Sequence, residues 1–149
     1  MNSIKRIGLA ADHAGYKLKE ELKNFLLEKG YDIIDFGTNS DESCDYPDFA
    51  HQLAKSVISG NVIKGISICG SGNGINMVAN KYNLVRSALC WNTEIAKLAV
   101  EHNNANICAL PARFISNLEA EEIVLSFLNS TFEGGRHQRR IDKIPVKEN

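Results

Sequence analysis

No apolar run in this chain approaches the ~18 residues that a membrane-crossing helix requires. The opening, Met-Asn-Ser-Ile-Lys-Arg-Ile, is too short and too polar for a secretion signal. The expectation is therefore a cytoplasmic protein with no membrane partner. Charge of one sign is also missing: 17 Lys and Arg against 18 Asp and Glu leave a net charge of −1, with no long-range field to draw in nucleic acid or a lipid surface. Cysteine is sparse, and Cys44, Cys69, Cys90 and Cys108 are too far apart for any Cys-x-x-Cys metal or redox motif. With no secretory context, a disulfide framework is not expected. No His/Cys/Asp/Glu spacing resembles a metal site, so none is expected. Internal repeats and low-complexity linkers are absent too. At 149 residues the expectation is one domain, residues 1–149, able to bury ~70% of its unfolded surface.

What is present is organised around residues 62–80. A short apolar run containing Ile66 and Ile68 reads as a buried strand and stops at Cys69. Gly70, Gly72 and Gly74 follow, separated by Ser71 and Asn73, and Ile75, Met77, Val78 and Ala79 then start a helical pattern. A strand–glycine loop–helix unit leaves unpaired backbone N–H groups facing whatever occupies the loop. Glycines allow close backbone approach and positive φ. A thiol at the mouth of such a loop has its thiolate favoured by those N–H groups. The loop therefore offers a base or nucleophile beside an anion cradle, or else a tight turn with no ligand. It is not a dinucleotide fingerprint, because Ile75 stands where a third glycine belongs and Asn92 near where the acidic residue belongs. A Walker-type ending in Gly-Lys-Ser/Thr is absent as well.

The rest of the chain alternates strands with helices. Ile4–Ala10 reads as a first strand ending at Asp12-His13, and Leu18, Leu22, Phe25 and Leu26 mark a helix closed by Gly30. Tyr31–Phe36 is a second strand. Pro47 opens a helix carrying Phe49, Leu53, Ala54, Val57 and Ile58. Val85–Cys90 is a fourth strand, followed by a helix capped at Asn92 or Thr93. Asn106–Leu110 is a fifth, and Leu118, Ile123, Phe127 and Leu128 mark the last long helix. Cys90 and Cys108 read as buried fillers, and Cys44 has no evident role. This alternation predicts an α/β chain with a parallel sheet covered by helices on both faces. The tail from Thr131, with Gly134-Gly135-Arg136-His137-Gln138-Arg139-Arg140, is too polar for a core, so it lies on a surface or reaches a partner.

Ligands of open α/β sheets bind at the carboxyl ends of the strands. Asp12 and His13, Cys69 to Gly74, and Arg113 all fall on that edge. Asp12-His13 reads either as a helix cap with a surface histidine or as a proton-handling, phosphate-binding pair. His102 and Asn103 fall at the opposite edge, where His102 can simply end its helix. If they join the same chemistry, a second chain must supply them, which makes a dimer with shared sites the natural expectation. Arg136, Arg139 and Arg140 read as a solvated tail, a nucleic-acid patch or ligands of a phosphate monoester. The cluster is too short, with no basic aromatic face, for nucleic acid, and guanidinium suits the monoester.

Taken together, Asp12-His13-Ala14-Gly15, Asp35-Phe36-Gly37-Thr38, Asp45-Tyr46-Pro47, Ile68-Cys69-Gly70-Ser71-Gly72-Asn73-Gly74, Ala79-Asn80-Lys81, Glu101-His102-Asn103-Asn104-Ala105-Asn106 and Gly134-Gly135-Arg136-His137 resemble the ribose-5-phosphate isomerase B family, which also holds allose- and galactose-6-phosphate isomerases. They span nearly the whole chain. The resemblance implies a three-layer α/β/α sandwich around a Rossmann-like five-stranded parallel sheet, with the C-terminal tail at a dimer interface. It implies a homodimer or a dimer of dimers, a phosphorylated sugar as substrate, and no cofactor. By the same resemblance Cys69 is the base, Ser71 holds the thiol, and the N–H groups of Gly70, Gly72, Asn73 and Gly74 stabilise an enediolate. His102 opens the sugar ring with help from Asp12, and Asn103 binds hydroxyls. His13, Arg113, Arg136 and Arg140 hold the phosphate. Ile75 stands where one branch of the family carries a glutamate base, so this chain falls in the cysteine branch. Asn104, Ala14 and Ser71 replace a frequent Asp, Gly and Thr.

Overall fold

The computed structural model describes residues 5–148, so Ile4, at the start of the expected first strand, lies outside it. Five strands, β1 (Arg6–Ala11), β2 (Asp32–Asp35), β3 (Lys64–Cys69), β4 (Ser87–Leu89) and β5 (Ile107–Pro111), form one parallel sheet in the order β2-β1-β3-β5-β4. Helices α1 (Tyr16–Glu28), α2 (Tyr46–Ile58), α3 (Asn73–Ala79) and α4 (Thr93–Asn103) make the four crossovers, and α5 (Asn117–Asn129) and a short α6 (Arg136–Ile141) follow the last strand. The parallel sheet with helices on both faces that the alternation predicts, and the three-layer sandwich that the resemblance implies, are what the chain adopts.

Strand periodicity sorts side chains between the two faces. Ile7, Leu9 and Ala11 of β1, Ile66 and Ile68 of β3, and Cys108 and Leu110 of β5 pack with Leu22, Val100, Val124 and Phe127 under α1, α4 and α5. Ala10 and Ile107 face the other way, onto Leu53 and Ala54 of α2 and Ala79 of α3. On that face Gly8 and Gly65 sit side by side in register, and a Cβ on either would come within 2.6 or 2.8 Å of Leu53. Their bareness lets α2 lie close to the sheet, which brings the N-terminus of α2 over the edge where β1 and β3 end.

Three features go beyond the sequence reading. β4 is only three residues long, because the Arg86 N–H donates to Asn106 Oδ1 before the ladder begins. A capping box the pattern did not reveal starts α5: Ser116 Oγ accepts from the Glu119 N–H while Glu119 Oε1 accepts from the Ser116 N–H. The polar tail is partly core. His137 and Ile141, four residues apart on one face of α6, are buried, while Arg136, Arg139 and Arg140 stay exposed.

Among the described residues one charged side chain is wholly buried. Lys19 in α1 has no exposed surface and places Nζ 2.7 Å from both Asp35 and Glu20. Burial works against ionisation of Asp35, but hydrogen bonds from Lys19, the Gly37 N–H and Lys23 outweigh it and hold the carboxyl below its ordinary value of 3.8. A carboxylate depressed in the folded state contributes its full stability above its unfolded pKa, and that stability fades as pH falls through the folded value. Asp35→Asn is therefore expected to cost about 3 kcal/mol at neutral pH, the low end for a broken buried pair because Glu20 remains. Thermal melts of both proteins should show a wide gap at pH 7 that narrows below about pH 4. A gap independent of pH would remove Asp35 ionisation from the account.

Candidate active site

Strands β2 and β3 leave β1 in opposite directions, so the β1/β3 boundary is the topological switch point, where the loops at the carboxyl ends part. A cavity of about 930 Å³ opens there, lined by Asp12 and His13 after β1, Cys69, Gly70, Ser71 and Gly74 after β3, Arg113 after β5, and the segment Ser43–Asp48 ahead of and entering α2.

Each side chain is held by its local fold. Asp12 is buried, and one carboxylate oxygen accepts from the N–H groups of Ala14 and Gly15 at 3.0 and 3.1 Å. Asp12 thus fixes the turn into α1 while reaching the cavity. Gly15 is forced: a Cβ would meet the Ile68 carbonyl at 2.6 Å, so α1 could not start against β3. His13 Nδ1 accepts the Cys44 N–H at 3.2 Å, which leaves the proton on Nε2. Cys44, without a role in the sequence, orients this imidazole through its backbone. Arg113 lies against Gly70, where a Cβ would come within 2.9 Å of the guanidinium.

Cys69 sits at the boundary of core and cavity. It is 5% exposed and packs with Ala50, Ile75 and Ala109, yet it faces the cavity and accepts the Gly72 N–H on Sγ at 3.2 Å. Gly72 has φ +76°, and a Cβ there would strike Leu89 and crowd the Leu110 backbone, so this donor depends on glycine. The Ser71 hydroxyl accepts the Asn73 N–H at 3.3 Å, so the contact on sulfur comes from the backbone of Gly72. Cys108, in β5, is inert by comparison. Burial first, then the neighbouring Cys90, drives the Cys108 thiol well above its usual range.

The remaining expected residues lie elsewhere. His102 ends α4 at the opposite edge of the sheet, stacked on His137 with ring centroids 4.3 Å apart. Asn103 lines a second, smaller cavity of about 390 Å³ with Arg86 and residues 144–146. Arg136 and Arg140 project from α6. Within one chain, then, Asp12, His13, the Cys69–Gly74 loop and Arg113 converge, while His102, Asn103, Arg136 and Arg140 stay apart from them. Tyr46 and Phe114 were missed as cavity residues. A Cβ on Gly74 would touch the Tyr46 ring at 2.5 Å, and Phe114 is 75% exposed. An apolar ring left in water beside polar groups is the signal that singles out Phe114.

Fold and cavity together define the class, a Rossmann-like α/β/α enzyme with its thiol at the switch point. Residues 7–144 match the family model described as Ribose/Galactose Isomerase. The chain is 41% identical over 145 residues to ribose-5-phosphate isomerase B of Escherichia coli K12, covering 97% of each. Ribose 5-phosphate isomerase from Thermotoga maritima superposes with a TM-score of 0.92 at 49% identity, over 93% of this chain and 96% of that one. The Mycoplasma genitalium ribose-5-phosphate isomerase B solved with bound ribulose-5-phosphate gives 0.89 at 44%, over 93% of each chain. The chain belongs to the ribose/galactose isomerase family and is an isomerase. Among the described residues no helix is long and apolar enough to cross a membrane.

Proposed function

We propose that this chain, acting as one catalytic domain over residues 1–149, interconverts ribose 5-phosphate and ribulose 5-phosphate through a cis-enediolate. The observation that carries the reading is the Cys69 sulfur, at the floor of the switch-point cavity with a backbone N–H upon it and Arg113 beside the loop. The ligand named for the Mycoplasma genitalium structure supports the choice of sugar.

With the sugar open, the Cys69 thiolate takes the C2 proton of the aldose and the electron pair moves onto the C1 carbonyl oxygen. The backbone N–H groups of the Gly70–Gly74 loop that are not engaged with the Cys69 sulfur or the Ser71 hydroxyl receive that negative charge, and Ser71 lines the cavity beside the thiol. The thiol then returns its proton to C1, while the O2 proton is passed to the O1 oxyanion, giving the ketose with its C1 hydroxyl and C2 carbonyl and restoring the thiolate. His13 and Arg113 take the phosphate, and Asp12 assists proton movement at the sugar oxygens. His102, Asn103, Arg136 and Arg140 come from a second copy, since one chain keeps them apart from the cavity. His102 opens the furanose, Asn103 binds hydroxyls, and the arginines complete the phosphate site. The working unit is a homodimer, or a tetramer built from two, in the cytoplasm and on the pentose phosphate pathway. No cofactor is required.

Incubation in deuterated water tests the chemistry. Ribulose 5-phosphate should gain deuterium at C1, and ribose 5-phosphate should turn over faster than allose or galactose 6-phosphate. A faster hexose phosphate would reassign the substrate within the family. Saturable binding with no exchange would reduce the protein to a sugar-phosphate-binding module.

A further inference from the structure

Across the sheet from the thiol, the fold gathers donors that linear spacing does not show. His102 ends α4, Glu133 precedes α6, and His137 lies in the first turn of α6; one ligand atom from each falls within 4.8 Å of the others. His137 is 6% exposed, and its Nε2 has no hydrogen-bond partner. Glu133 Oε2 approaches that nitrogen only to 3.6 Å, too far for a hydrogen bond. A buried imidazole nitrogen without a partner calls for an occupant. The carboxylate is not adrift, because the Glu133 N–H donates to the Glu101 carbonyl at 3.0 Å and ties its segment to α4.

We infer that His102, Glu133 and His137 form a binding site for a divalent transition metal of the zinc class, contrary to the absence expected from linear spacing. Two imidazole nitrogens and one carboxylate oxygen are a donor set suited to Zn²⁺, with water in the fourth tetrahedral position. The rings now stack with their planes 12° apart, and an ion must lie in the plane of each imidazole that binds it. Binding therefore turns the half-exposed His102 out of the stack, while buried His137 stays fixed. Arg136 and Arg140 stand close enough to raise the local potential, which makes this a site for a reversible occupant and not a metal on which the fold depends. Occupied, the site takes His102 away from any proton chemistry, and this consequence alone rests on the isomerase mechanism proposed above.

Calorimetric titration with Zn²⁺ alone tests the site. The protein is full-length and carries Cys44→Ser and Cys69→Ser, so the cavity thiols cannot bind the ion. One ion per chain is expected, and Glu133→Gln and His137→Asn should each weaken the midpoint by at least the ~10–100-fold that losing a supporting contact costs. Glu133 is exposed, so its variant folds and decides the matter if His137→Asn does not. No binding to the thiol-free protein, or a midpoint unmoved by Glu133→Gln, would overturn the assignment. In the protein with its thiols intact, Zn²⁺ should inhibit turnover, and Glu133→Gln should shift inhibition and binding together. Inhibition unmoved while binding shifts would sink the link to His102 and leave the site standing.

Discussion

Replacing Cys69 with alanine is expected to lower kcat by about 10²–10⁴-fold while leaving affinity for ribose 5-phosphate nearly intact. A proton beside a sugar carbonyl is weakly acidic, so its removal needs a base and a charge-stabilising loop acting at once. Alanine deletes the first and keeps the second. The fold should survive, because Cys69 contributes one small side chain among Ala50, Ile75 and Ala109, and the one buried N–H it leaves without a partner, that of Gly72, costs about 1–3 kcal/mol. The phosphate contacts assigned to His13 and Arg113 are untouched, so calorimetry should still detect sugar phosphate. Deuterium uptake at C1 of ribulose 5-phosphate should fall in step with turnover, since both need the same proton abstraction. Near-normal exchange in the variant would take the thiol out of the mechanism and return attention to Asp12.

The sheet and its chemically furnished edge were legible because both rest on local pattern. Apolar runs set the strands, Gly30 ended a helix with a φ of +91°, and the strand-end rule placed Asp12, Cys69 and Arg113 together. What escaped depends on contacts distant in the chain. The backbone of Cys44 holds His13, 31 residues away, and nothing in a polar loop announces that. The burial of α6 was hidden because only His137 and Ile141 face inward among three arginines, too few apolar positions for a periodicity. Ser71 illustrates a finer limit. Its hydroxyl lies two residues from the sulfur in sequence, but the geometry of the turn gives that hydroxyl to the Asn73 N–H and gives the sulfur to Gly72.

The strongest test of shared sites uses two dead proteins. Cys69→Ala lacks the base and His102→Ala lacks the ring-opening imidazole, so each homodimer alone should be nearly inactive on ribose 5-phosphate. His102 ends α4 on the edge of the sheet opposite Cys69, and no rotation of a side chain spans a sheet. If a second copy brings His102 to the cavity, a mixed dimer holds one site with both residues intact and one with neither. Random exchange at equal concentration makes about half of all dimers mixed, so about a quarter of the wild-type activity should return after co-refolding. The variants should also differ when each stands alone. Ribulose 5-phosphate cannot close into a furanose, so His102→Ala should retain deuterium exchange at its C1 whereas Cys69→Ala should lose it. Rescue by mixing requires two chains at one cavity. Its failure, with mixed dimers shown to form by mass spectrometry, would mean that His102 acts at no neighbour's cavity and that ring opening falls to Asp12 and His13 of the same chain.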